Sequence, residues 1–91
     1  MNQARFTLGK VVATRGALEL MKTESIDGLA LLSRHVRGDW GDLDEQDKQE
    51  NELSLKDNFR ILSAYGKGKN KLWIITEADR SVTTILTPDE Y

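Results

Sequence analysis

Apolar positions along this 91-residue chain first recur at helical spacing and then, from Phe59, at every second residue. Ala17, Leu18 and Met21 mark a first helix, Arg15 to about Thr23, with Thr14 placed to cap it. A second helix is predicted from Ile26 to about Val36. Ser25 is its cap, Ile26, Leu29, Ala30 and Leu32 its buried stripe, and Leu31 and Val36 widen that stripe. Gly38 follows where a left-handed C-cap belongs. A third helix, capped by Asp42 or Asp44 and running to about Lys56, holds only Leu43, Leu53 and Leu55 as apolar anchors. It is therefore expected to be fastened at its ends, with its middle in water.

Three β-like runs come next. Phe59–Tyr65 and Lys71–Glu77 are separated by Gly66-Lys67-Gly68-Lys69-Asn70, and Ser81–Thr87 follows the turn Ala78–Ser81. Lys71–Glu77 is apolar on both faces and is predicted to be central. A turn centred on Asp79 and Arg80 would set Ile74 opposite Ile85 and Trp73 opposite Leu86; a three-residue turn would shift that register. Phe6–Thr14 is β-rich but interrupted by Gly9, and reads as a short edge strand or an extended lead-in. The expected architecture is an α+β single domain over residues 1–91. Two or three helices of the N-terminal half pack on a C-terminal three-stranded antiparallel β-meander.

The segment Arg34-His35-Val36-Arg37-Gly38-Asp39-Trp40-Gly41-Asp42-Leu43 joins the two halves. Two glycines let the backbone turn sharply around a large ring, so Trp40 is predicted to be buried between the second helix and the sheet. His35 and Arg37 fall in a last helical turn, where positive charge complements the dipole.

Hydrophobic residues are 38% and charged residues 31%, a globular balance. No apolar run reaches the roughly 18–20 residues that span a bilayer. Met1-Asn2-Gln3-Ala4-Arg5-Phe6 lacks the apolar stretch of a secretory signal. The chain has no cysteine, which removes disulfides, thiol nucleophiles and thiolate metal sites. These features read as a cytoplasmic protein without membrane attachment.

The net charge of −2 is unevenly spread. Asp39, Asp42, Asp44, Glu45, Asp47, Glu50 and Glu52 stand against Lys48 alone, while the flanking segments are net basic. Such a block is either a solvated helix face or a surface that docks on a basic partner. The contrasting feature is cationic: Lys67, Lys69 and Lys71 on a flexible hairpin, with Arg34 and Arg37 extending the surface, could meet phosphates. A third constellation sets Glu77 and Asp79 at the last hairpin beside Arg80, Ser81, Thr83 and Thr84. Read functionally, it is a metal site or an acid/base pair aided by His35 or Asp39; read structurally, it is turn chemistry with Arg80 paired to a nearby carboxylate.

Several stretches together carry a family likeness. They are Leu8-Gly9, Val12-Ala13-Thr14 with Gly16-Ala17-Leu18, Arg34-His35 with Gly38-Asp39-Trp40-Gly41-Asp42-Leu43, Ile75-Thr76-Glu77-Ala78-Asp79-Arg80-Ser81 with Thr83-Thr84-Ile85-Leu86, and Pro88-Asp89-Glu90-Tyr91. The chain resembles small bacterial proteins borne on plasmids, integrative elements and phage-like regions, some labelled plasmid-related or type I restriction subunit M. Relatives often carry proline where Arg15 stands here, which places the start of the first helix in question. A methylating subunit needs a long cofactor-binding α/β domain with a glycine-rich loop after a parallel strand, and this sequence has neither. The resemblance implies a mobile-element setting. No phosphate-binding glycine loop and no nucleophile with an evident partner accompany it. The sequence therefore reads as a non-enzymatic, cofactor-free accessory protein that binds another protein, with nucleic-acid binding through the lysine hairpin as the alternative.

Overall fold

A computed structural model describes residues 3–91; Met1 and Asn2, which open the stretch read for a signal, lie outside them. The elements in order are β1 (Lys10–Ala13), α1 (Arg15–Thr23), α2 (Gly28–Val36), α3 (Glu45–Asp57), β2 (Ile61–Tyr65), β3 (Leu72–Thr76) and β4 (Val82–Leu86). Short 3-10 turns occupy Gly68–Asn70 and Pro88–Glu90.

The sheet has four strands in the order β1-β4-β3-β2. β2, β3 and β4 form the expected antiparallel meander, and β3 is internal, as its two apolar faces require. Trp73 lies opposite Leu86 and Ile74 opposite Ile85, the register of the turn centred on Asp79 and Arg80. The register agrees, but the turn closes one residue earlier than that: the Arg80 N–H donates to the Glu77 carbonyl, so Ala78 and Asp79 are the central residues, and Arg80 follows them at a left-handed φ of 61°. The three-stranded, all-antiparallel expectation needs correction: β1 adds a fourth strand, parallel to β4. The Lys10 N–H donates to the Ser81 carbonyl and the Thr14 N–H to the Ile85 carbonyl. This pairing joins residues some 70 positions apart, and local pattern carries no signal for it.

Ala17, Leu32, Tyr65, Leu72, Ile74 and Ile85 make the core, with Leu8, Ala13, Leu20, Met21, Ile26 and Leu31 packed against it. α1 and α2 thus cover one face of the sheet. α1 begins at Arg15, and the Thr14 side chain accepts from the Ala17 N–H. α2 starts two residues later than its pattern suggested. Ser25 has φ of 52°, whereas a capping residue must be extended. Asp27 takes the role instead, accepting from Leu29 and Ala30. The predicted stripe is also rotated. Leu29 is 78% exposed, and Leu32 and His35 face inward. At the other end of α2 the Gly38 N–H reaches the His35 carbonyl and the Asp39 N–H reaches that of Arg34. With Gly38 at φ 87°, this is the paired C-cap geometry in which the glycine takes the left-handed position.

α3 departs furthest from expectation. Leucines are not its main anchors: Leu53 is 52% exposed and Leu43 and Leu55 are only half-buried, while Asn51 and Ser54 are the buried residues. Asn51 acts as a strand partner in side-chain form. Its Nδ2 donates to the Leu62 carbonyl at 2.6 Å, and its Oδ1 accepts from the Leu62 N–H at 3.1 Å. The free edge of β2 is closed further by Trp40, Gly41 and Asp42. Ala64 donates to the Trp40 carbonyl and accepts from the Asp42 N–H, and the Asp42 carboxylate accepts from the Gly66 N–H. Gly41 is obligatory here, because a Cβ would lie 2.0 Å from the Ala64 carbonyl oxygen. Covering an edge strand in this way denies it to other chains.

Trp40 is 4% exposed and fastens four segments. Its ring stacks on Phe6 and meets His35 edge-on. Its indole N–H donates to Glu52 of α3, and its carbonyl accepts from β2.

Candidate functional site

Strand alternation turns Leu62, Ala64 and Trp73 away from the core and toward the sheet face that α1 and α2 leave open. Beside that face runs α3. Between them lies a groove of about 760 Å³. Leu62, Ala64 and Trp73 form its floor, and Asp42, Leu43, Asp44, Asp47 and Glu50 its acidic wall together with Asn51 and Ser54; Phe59, Arg60 and Lys71 complete the lining. Phe59 is 60% exposed.

The acidic block thereby separates into two groups. Asp42, Asp44, Asp47 and Glu50 line the groove, although Asp42 also accepts from the Gly66 N–H and Asp44 caps α3 through the Asp47 N–H. Asp39 and Glu52 serve the fold, and Glu45 is an exposed surface residue. Asp39 binds Arg34 at 2.7 Å, and that hydrogen bond holds its carboxyl below the usual carboxylate range. Glu52 takes both guanidinium nitrogens of Arg5, whose hydrogen bond, with that of the Trp40 indole, lowers its pKa as well. Glu45 lies 3.9 Å from Lys48.

The cationic candidates do not gather into one surface. Arg34 is engaged by Asp39 and lies over the Tyr65 ring at 4.6 Å. Arg37 is the half-buried C-cap of α2. Lys67 and Lys69 are exposed on the hairpin. Lys69 and Lys71 line a second hollow of about 570 Å³ that also holds Glu19 and Asp89, and Lys71 borders the acidic groove too.

At the last hairpin Glu77 accepts from Arg60 at 3.2 Å, and Asp79 accepts from the Ser81 N–H and hydroxyl. Among the described residues no three His, Asp or Glu side chains converge in a metal-holding group. Arg80 does not pair with a carboxylate. It donates to the carbonyls of Phe59, Glu77, Ala78 and Ser54, so it staples the hairpin to the last turn of α3.

His35 belongs to a buried polar chain that the sequence did not announce. Nδ1 lies 2.6 Å from Ser63 Oγ and Nε2 2.9 Å from Thr76 Oγ1. Thr76 Oγ1 lies 2.7 Å from that of Thr83, which donates to the Leu8 carbonyl. A carbonyl has no proton to give, and with a ring that burial keeps neutral this fixes every direction. Thr83 gives its proton to Leu8, Thr76 gives to Thr83, the Nε2–H gives to Thr76, and Ser63 gives to Nδ1. The imidazole is the neutral Nε2–H tautomer, and burial pushes its pKa down to about 4. The expected charged helix end is therefore replaced by an uncharged core hub. Ser63, Thr76 and Thr83 fall at alternate, inward positions of three adjacent strands, the one sequence signal that marks them as partners.

Among the described residues no helix is long and apolar enough to cross a membrane. No protein-family model, curated protein or solved structure matches the chain.

Proposed function

We propose that this chain is a non-enzymatic accessory protein that binds a basic surface of another protein through the groove beside α3. One observation carries the reading: the four carboxylates lining the groove stand over an apolar floor, while two of the remaining acids are held by arginines. An apolar floor supplies contact area, and a rim of four carboxylates against Arg60 and Lys71, Arg60 itself paired with Glu77, supplies orientation and on-rate. The non-enzymatic side of the reading is supported by the sealed position of the single histidine and by the structural use of Glu77 and Asp79. The sequence resemblance adds the setting, a mobile genetic element, and with it a target in host defence or element maintenance.

The test is capture of the partner from the host with tagged protein, followed by kinetics on purified components. Asp47→Asn with Glu50→Gln should slow association by about tenfold or more at low salt and flatten its salt dependence. Lys67→Gln with Lys69→Gln should leave both unchanged. The reverse pattern, with the lysines essential and the carboxylates dispensable, overturns the reading in favour of nucleic-acid binding.

A further inference from the structure

We infer that the groove receives a basic amphipathic helix of a partner protein, laid alongside α3 across the open face of the sheet; the inference rests on the docking reading above. Spacing selects the conformation of the occupant. Asp44, Asp47 and Glu50 follow one another every three residues, so they rise in steps of about 4.5 Å along α3. Basic side chains on one face of a neighbouring helix recur every three or four residues, on average about 5.4 Å, so two steps overshoot two of the acidic row by only about 2 Å. On an extended strand, same-side residues recur every ~6.6 Å or more. Two such steps overshoot two steps of the acidic row by about 4 Å.

The floor makes the second selection. Leu62 and Trp73 are half-buried on a sheet face that α1 and α2 do not cover, and Phe59 stands 60% exposed at the groove. An amphipathic helix answers both surfaces at once, its apolar stripe on the floor and its basic edge on the carboxylates. Charge also excludes two rival occupants. Nucleic acid would set phosphates against four carboxylates. Among the described residues a second copy has no basic helix face to offer: Arg15 on α1 pairs with Glu19, Arg34 on α2 with Asp39, α3 is acidic, and the exposed Lys67 and Lys69 lie on a hairpin turn.

A model peptide of about 18 residues, five helical turns, tests this when built from leucine and lysine with a helical apolar period. Its controls are the same composition rearranged to alternate every second residue, and a leucine/glutamate version of the helical pattern. Anisotropy of labelled peptide gives affinity, circular dichroism gives peptide helicity, and amide shifts locate the site. The helical leucine/lysine peptide should bind, gain helicity, and shift Leu62, Trp73 and the α3 amides. Asp47→Asn with Glu50→Gln should weaken it by about tenfold or more, and Leu62→Lys should weaken it further. The alternating peptide should bind at least about tenfold more weakly. If the alternating peptide binds as well and remains non-helical, the helical occupant is overturned while the charge-based docking reading stands. If neither lysine peptide binds, if the glutamate peptide binds equally, or if the carboxylate variant makes no difference, both fall. Leu62→Lys is interpreted only with an intact fold by circular dichroism, and the carboxylate pair decides the matter without it.

Discussion

Single side chains in this protein hold the structure through directed polar contacts as much as through apolar volume, and His35 is the sharpest case. Its ring is fully buried, and both nitrogens are used by hydroxyls of the sheet. The neutral form is built into the core, whereas the unfolded chain takes up a proton below its ordinary pKa of 6.5. The folded pKa is depressed, so His35 costs nothing above pH 6.5. Between pH 6.5 and about 4 it progressively favours unfolding, by at most about 3 kcal/mol at 1.36 per pKa unit. Urea midpoints measured across that range should fall accordingly, and His35→Gln should lose the slope. In the intact protein the imidazole resonances should stay those of the neutral ring down to pH 5. A titration near 6.5 would show that the ring is not sealed. Trp40 makes the companion prediction. Removing a ring that packs on Phe6 and His35 and donates to Glu52 of α3 should cost roughly 3–5 kcal/mol in chemical denaturation. A Trp40→Ala protein melting within a few degrees of the parent would contradict its role.

At the scale of elements, α3 shows why an amphipathic stripe is not the only way to fasten a helix. Apolar period places α1 to the residue, because its N-cap and its inward Ala17 and Met21 agree. The same reasoning misreads α3, since its inward residues are Asn51 and Ser54 and a leucine count ignores both. What Asn51 contributes is a matched donor and acceptor for one strand residue, and the value of that pairing exists only once β2 lies beside it. Asn51→Ala should leave the Leu62 N–H and carbonyl without partners and cost about 1–3 kcal/mol. The exposed Leu53→Gln should change stability by no more than about 0.5 kcal/mol. Hydrogen exchange at the Leu62 amide separates the two variants, accelerating in the first and not in the second. If Leu53→Gln proves the more damaging, the polar anchor is not what holds the helix. The edge strand β1 was open as one of two readings of Phe6–Thr14, but its parallel pairing with β4 was illegible for a related reason. Its four residues are too short and too exposed to carry a period, and its partner is fixed only when the chain has already closed.

At the scale of the whole molecule the last turn of the chain is tied back to the start of α1, and the tie is an acid. Glu90 lies beyond the last strand, yet its carboxylate accepts from the Gly16 N–H at the start of α1, from the Thr14 hydroxyl, and from the Thr87 N–H and hydroxyl. These donors, the Thr14 hydroxyl foremost, hold its pKa at about 2, well below its ordinary 4.5. A carboxylate at a helix N-terminus also satisfies N–H groups that the helix leaves unpaired. The same tail carries Tyr91, whose ring meets Trp73 edge-on and whose hydroxyl accepts from Arg60, so the tie helps to order the far margin of the groove. Because the folded pKa is depressed, the stabilisation is present above pH 4.5 and is lost as pH falls from 4.5 through about 2. Acid unfolding should therefore proceed through two successive windows, the upper belonging to His35 and the lower to Glu90 together with Asp39, Glu52 and Asp79, whose carboxyls are also held below their ordinary range. Glu90→Gln should lower the melting temperature at neutral pH, speed exchange of the Gly16 amide, and remove part of the dependence below pH 4.5 while leaving the upper window untouched. Should the variant match the parent at pH 7 and at pH 3 alike, the tie carries no weight in solution, and Tyr91 is free to leave Trp73.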